Sequence, residues 1–165
     1  MAYPERGRIA DEYLQAINVL WTEDTPTFTG RFVSFDGIAF EPRPRRGAIP
    51  IWIGGNSEAA LRRAVRFGTG WRPWQVGLEE LPAWVEKIRR LTDEFERRDP
   101  LQLHVLATPL GVGDDHKPLA DGAATKGWST QALVDRIGRL QELGVTWTTL
   151  PISEARTLDE YLDQI

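Results

Sequence analysis

Apolar residues recur at helical spacing, then switch to short dense runs, then return to helical spacing along this chain. Ile9, Tyr13, Ile17, Leu20 and Trp21 fall three or four apart and predict a helix over 5–21, ended by Pro26. From Thr27 to Phe35 the pattern alternates loosely, with Phe28, Gly30 and Phe32 on one side, as in a short hairpin or excursion. Pro42, Pro44 and Arg43, Arg45, Arg46 make 41–47 an exposed, extended lead-in. The run Pro50-Ile51-Trp52-Ile53 then reads as a buried strand. Gly54-Gly55-Asn56-Ser57 follows, and Ala60, Leu61, Ala64 and Val65 form the stripe of a helix that Asn56 or Ser57 can cap. Phe67-Gly68 stops this helix, and 70–73 is a very short strand.

In the second half, Leu81, Trp84, Val85, Ile88, Leu91 and Phe95 predict a helix over about 79–98, with one buried face and a break at Asp99-Pro100. A strand covers 101–109. The glycines and scattered charges of 111–128 indicate a loop. Thr130 caps a helix with the stripe Leu133, Ile137, Leu140 and Leu143, which Gly144 ends. Residues 145–150 form a strand, and Thr157-Leu158-Asp159-Glu160 is a capping box for a short terminal helix. Four strands, 50–54, 70–73, 101–109 and 145–150, alternate with helices. The expectation is an α/β fold with a parallel sheet, built as a single domain over 1–165.

Charge and composition narrow the class. The net charge of −4 argues against a broad nucleic-acid surface. The arginines at 43, 45, 46 and at 62, 63, 66 read as solvated faces before phosphate contacts. The chain has no cysteine, which removes disulfides, thiolate catalysis and cysteine metal sites. Runs of the ~20 apolar residues needed to cross a bilayer are absent, and Met1-Ala2-Tyr3-Pro4-Glu5-Arg6 is not a signal-peptide core. A cytoplasmic protein with no membrane or nucleic-acid partner is expected. Seven tryptophans are many for 165 residues; core packing is their first explanation.

The chemistry concentrates in one turn. A strand, two glycines and a capped helix start bring backbone N–H groups and the positive end of a helix dipole together, an arrangement that suits phosphate. A packing turn of any parallel sheet has the same outline, so the pattern alone leaves both readings open. Elsewhere the sequence offers little. His104 lies in a strand and reads as a packed histidine. His116 with Asp114 and Asp115 lies in the long loop without a ligand set, so no metal site is assigned. Glu79-Glu80 and Asp93-Glu94 read as helix surface. No catalytic residue is assigned.

Taken in order, Pro50-Ile51-Trp52-Ile53-Gly54-Gly55-Asn56-Ser57, Ala60-Leu61-Arg62-Arg63-Ala64 and Gly68-Thr69-Gly70-Trp71 resemble the luciferase-like monooxygenase family. Arg6-Gly7-Arg8, Asp11-Glu12-Tyr13-Leu14, Leu20-Trp21-Thr22, Phe28-Thr29-Gly30, Pro42-Arg43-Pro44 and Leu140-Gln141-Glu142-Leu143-Gly144-Val145 agree with it. The likeness is to the family's C-terminal half. It implies a partial, half TIM-barrel-like fold, and flavin- or deazaflavin-dependent oxidoreductase or monooxygenase chemistry on a small organic substrate. The cofactor is FMN or a deazaflavin coenzyme, undecided and open to being absent in the isolated chain. Carried over, Gly54, Gly55, Asn56 and Ser57 hold its phosphate, and Trp71 is a candidate pocket wall or, equally, a buried barrel residue.

A complete barrel typically needs ~250 residues. Half a barrel leaves two open strand edges and an uncovered apolar face. The expectation is therefore a homodimer or a higher even oligomer. Two alternatives to an active enzyme stay open: a non-catalytic half-barrel remnant serving as a ligand-binding or assembly module, and one subunit of a split enzyme.

Overall fold

A computed structural model of the chain describes residues 3–108 and 129–149. The strands β3 (Trp52–Gly54), β4 (Gly70–Arg72), β5 (Gln102–Leu106) and β6 (Trp147–Thr149) form one parallel sheet in that order. Helices alternate with them, as the hydrophobic pattern predicts. Two compact units divide the chain, residues 1–71 with 91–101 and residues 72–90 with 102–165.

In the first unit a 3₁₀ turn at Tyr3–Glu5 leads into α1 (Arg6–Thr22). Beyond it β1 (Phe28–Thr29) and β2 (Ser34–Phe35) pair antiparallel, with Phe28 and Phe35 stacked at 5.9 Å. The hairpin is fastened to α1 by one carboxylate. Glu12 Oε1 accepts the backbone N–H groups of Phe32 at 2.6 Å and Val33 at 2.9 Å, and Oε2 accepts that of Arg31 at 3.0 Å. Gly30 makes room for it, since a Cβ there would lie 2.2 Å from Glu12 Oε1.

The strand β3 starts at Trp52, two residues later than the apolar run suggests, because Ile51 turns its carbonyl to the N–H groups of Thr69 and Gly70 ahead of β4. Helix α2 (Glu58–Phe67) buries Ala60, Leu61, Ala64 and Val65, the predicted stripe. It is tied to α1 by the Arg63–Asp11 ion pair and by Arg63 donating to the Gly7 carbonyl at 3.1 Å. Arg62 pairs with Glu94, and Arg43 with Asp24. The two arginine clusters thus supply structural ion pairs as well as solvated surface, and Glu94 is a partner rather than bare helix surface.

Helix α3 (Leu81–Glu94) is shorter at both ends than the predicted 79–98. Its C-terminus closes in a Schellman pattern: Glu96 adopts φ +50 and its N–H reaches the Asp93 carbonyl, while the Arg97 N–H reaches that of Thr92. Arg97 then turns its guanidinium onto the carbonyls of Val65 and Gly68, both at 2.8 Å, at the end of α2. The predicted apolar face is graded, not uniform. Leu81 and Leu91 are fully buried, whereas Trp84, Val85, Ile88 and Phe95 are half-buried.

In the second unit β5 ends at Leu106, three residues before the predicted limit. β5 and β6 run parallel with His104 beside Trp147 and Leu106 beside Thr149. Helix α4 (Thr130–Glu142) is capped by Ser129 and not by Thr130: the Ser129 Oγ accepts the Ala132 N–H at 3.2 Å, three residues on, the reach a capping hydroxyl needs. Gly144, at φ +84, completes a Schellman ending in which Gly144 donates to Gln141 and Val145 to Leu140. The 111–128 loop, the Asp114-Asp115-His116 trio and the 157–160 capping box lie outside the described residues. Among the described residues no helix is long and apolar enough to cross a membrane.

Candidate functional site

The turn between β3 and α2 is built by three local features. Gly54 closes the strand. Gly55 takes φ +109, a conformation that a side chain rarely tolerates, and a Cβ there would also crowd the Ala60 methyl at 3.3 Å. Ser57 is extended and its Oγ accepts the Ala60 N–H at 3.1 Å, so the helix start is capped by the second of the two predicted residues. Asn56 and Ser57 are exposed.

Trp71 joins this turn from β4. Its ring is fully buried, and Nε1–H donates to the Gly55 carbonyl at 2.9 Å. The indole therefore acts as a brace under the turn. Close by, Gly70 lies flat against Trp52: a Cβ at 70 would sit 2.5 Å from the Trp52 ring. Gly70 opens the short strand expected at 70–73, and the repeated glycine of Gly68-Thr69-Gly70 is the sequence signal for this close approach. So Gly54, Gly55, Asn56, Ser57 and Trp71 are brought together in one unit of the fold.

Helix geometry leaves the first-turn N–H groups of α2 without intrahelical acceptors, and the Ser57 hydroxyl takes the one from Ala60. An anion approaching Gly55 and Asn56 meets backbone and the positive end of the helix dipole, with no Cβ in the way at 55. Glu58, in the first turn, adds a carboxylate to the same helix end. The fit to a phosphate is thus a backbone cradle with no cation among its own residues.

Among the described residues, concavities lie at the far end of α2 and along α4, each lined by residues other than 54–57. Two, of about 360 and 210 Å³, share Arg66, Phe67 and Phe95 at the far end of α2. Another, about 530 Å³, runs between α4 and β6 along Ile137, Leu140, Val145 and Trp147. In the second unit His104 is nearly buried, and its Nε2 lies 2.8 Å from the Thr149 Oγ1. Burial, then the nearby Arg72 charge, lowers its pKa from the usual histidine value. This agrees with a packed, neutral histidine. The Thr108 hydroxyl is buried with no hydrogen-bond partner among the described residues. Among those residues no cluster of three histidines and carboxylates could hold a metal ion.

Comparison with known proteins accounts for the arrangement. The chain is 32% identical over 123 residues to an uncharacterized protein of Mycobacterium tuberculosis, covering 74% of this chain and 42% of the relative. It is also 32% identical over 89 residues to an FMNH(2)-dependent dimethylsulfone monooxygenase of Pseudomonas fluorescens, covering 54% and 24%. Two solved structures share the fold at 16% identity. One is the monooxygenase RslO1 from Streptomyces bottropensis, with a TM-score of 0.70 over 99% of this chain and 60% of that one. The other is an F420-dependent secondary alcohol dehydrogenase, with a TM-score of 0.66 over 91% and 57%. The chain spans about two fifths of the first relative and three fifths of the structures. Its sequence matches the profile of one family, luciferase-like monooxygenase, over residues 1–150. By that match this chain, with its strand–glycine–helix turn, belongs to the luciferase-like monooxygenase family.

Proposed function

We propose that this chain carries the phosphate-holding part of a flavin- or deazaflavin-dependent oxidoreductase or monooxygenase that acts on a small organic substrate. One observation carries the reading: Gly55 at φ +109 stands directly before a helix start whose cap is Ser57, with the Gly55 carbonyl held from below by Trp71. The backbone of Gly55, Asn56 and Ser57 would receive the cofactor's phosphate, Gly54 lets the chain leave β3 toward it, and Trp71 keeps the turn in shape. A bound flavin or deazaflavin would supply the hydride or oxygen chemistry. The residues described here bind and orient; none is assigned to proton transfer. Support for the cofactor class comes from the FMNH(2)-dependent and F420-dependent proteins that the chain resembles. We place the protein in the cytoplasm, as a homodimer or higher even oligomer.

A second reading rests on the chemistry of the described residues, which supply a backbone cradle at the β3–α2 turn and no group assigned to proton transfer. On that reading the chain is a ligand-binding or assembly module, or one part of a split enzyme, that holds a phosphate without turning over substrate.

Titration of the purified chain with FMN and, separately, with the deazaflavin coenzyme F420, followed by fluorescence, tests both. The first reading expects saturable binding of one of them and reduction or oxidation of the bound ring with substrate present. Binding without turnover selects the second. In Gly55→Val the side chain blocks backbone approach, and affinity should fall at least tenfold, about 1.4 kcal/mol. Unchanged affinity in a folded variant removes this turn from the site.

A further inference from the structure

We propose that the far end of α2 carries an anion site of its own, which takes a small organic phosphate between Arg66 and Arg98 with its apolar body against Phe67 and Phe95. This site shares no residue with 54–57 and does not depend on the cofactor reading above. The ten residues of α2 put ~15 Å between the two helix ends.

Every residue of the site belongs to the first compact unit. Of the arginines that α2 presents, Arg62 is matched by Glu94 and Arg63 by Asp11. Arg66 and Arg98 are exposed and, among the described residues, neither pairs with a carboxylate. Arg66 lies instead over the Phe67 ring, 4.8 Å from its centroid, and Arg62 lies over Phe95 at 5.0 Å. Such contacts keep a guanidinium against an apolar wall while its N–H groups stay free to donate outward. Arg66, Arg97 and Arg98 line one concavity of about 360 Å³ with Phe67 and Phe95. Asp99 also lines it, so three cations face one carboxylate. The neighbouring concavity of about 210 Å³ shares Arg66 and both rings.

The chemistry of the lining selects the ligand. A helix C-terminus carries partial negative charge and by itself repels an anion. Here Arg97 donates to the carbonyls of Val65 and Gly68, both at 2.8 Å, and so covers that charge. Arg97 is thereby committed to backbone, which leaves Arg66 and Arg98 to meet the ligand. A guanidinium fork matches two oxygens of a phosphate, and a dianion answers two such forks at once. The volume falls within the ~300–1,000 Å³ of small-molecule sites, and the two rings give an apolar body a wall to pack on. An acidic peptide needs a longer basic track, and the next arginines along α2 are already matched by carboxylates.

Phenyl phosphate, which joins a dianion to a ring, is the probe. Titrated into the parent chain, it should move the amide NMR signals of 65–68 and 95–99 in a saturable way. Arg66→Gln combined with Arg98→Gln should weaken that binding by about tenfold or more, since two charge-assisted contacts are lost. Both side chains are exposed, and the amide map of the parent decides the matter without the variant. Gly55→Val should bind the probe as the parent does. Absence of saturable shifts at 65–68 and 95–99 overturns the proposal. Shifts confined to 54–58 also overturn it, and would return the anion to the turn before α2. Inorganic phosphate binding as tightly as phenyl phosphate removes the organic ligand, and a polyglutamate peptide binding more tightly assigns the patch to an acidic partner. Either result overturns the proposal as well.

Discussion

Trp71 Nε1–H and the Gly55 carbonyl are joined by a 2.9 Å hydrogen bond, which ties the end of one short strand to the turn that follows its neighbour. The bond satisfies the one polar atom of a fully buried indole and at the same time fixes the carbonyl of a residue at φ +109. Trp71→Phe removes the donor and leaves that carbonyl without it. A loss of about 1–3 kcal/mol in chemical denaturation is expected, the usual result of orphaning a buried partner and vacating part of a ring site. Cofactor affinity should weaken in parallel if the turn is the site. Stability lost with affinity intact would detach the brace from binding.

The Glu12 clamp predicts an acid dependence. Burial raises the pKa of this carboxyl, but the N–H groups of Phe32, Val33 and Arg31, with the Arg31 charge, together outweigh it and bring the value below 4.5. A group with a depressed folded pKa stabilises the fold above its unfolded value, and that contribution is lost as pH falls through the folded one. Glu12→Gln should therefore lower the denaturation midpoint at pH 7, and the gap from the parent should narrow by pH 3. A gap of constant size would mean that the hairpin is held by something other than this charge.

The graded burial of α3 separates two substitutions that the apolar pattern treats alike. Leu91 is fully buried, so Leu91→Ala should cost about 2–5 kcal/mol. Ile88 is only half-buried and should lose clearly less on truncation to alanine. Equal losses in urea denaturation would show that the face is uniformly packed.

Glu96 occupies the left-handed position of the Schellman ending of α3 at φ +50, where glycine is the usual residue. Glu96→Gly should stabilise by up to about 1 kcal/mol, since a left-handed conformation costs a side-chain-bearing residue about that much. Thermal unfolding reads it directly. A lower Tm would show that the Glu96 side chain contributes more than its backbone strain takes away.

Local chemistry made the framework readable from the chain alone. Period and cap positions marked α1, α2, α3 and α4 to within a few residues, because an amphipathic stripe and a capping hydroxyl act over one or two turns. The two glycines after Ile53 announced a turn with room for an anion, since only the missing Cβ is required. The strand and helix ends were less legible. β5 stops at Leu106 and α3 at Glu94, each a few residues short of the end that the apolar pattern suggests.

Tertiary structure alone decided what spans distance along the chain. Sixteen residues separate Trp71 from Gly55, about twenty separate Glu12 from the turn that it clamps, and about thirty lie between Arg97 and the α2 carbonyls it covers. No periodicity encodes such pairs: an indole, a carboxylate and a guanidinium each have many possible partners, and only the packed backbone brings one of them within reach. The same holds for burial along α3 and for the hydrogen bond that Trp71 makes under the turn. The sequence by itself determined where helices and strands run and where the glycine turn before α2 falls, because those are set by neighbours. The tertiary structure decided which side chains hold that turn in place, because that depends on what the rest of the chain folds against.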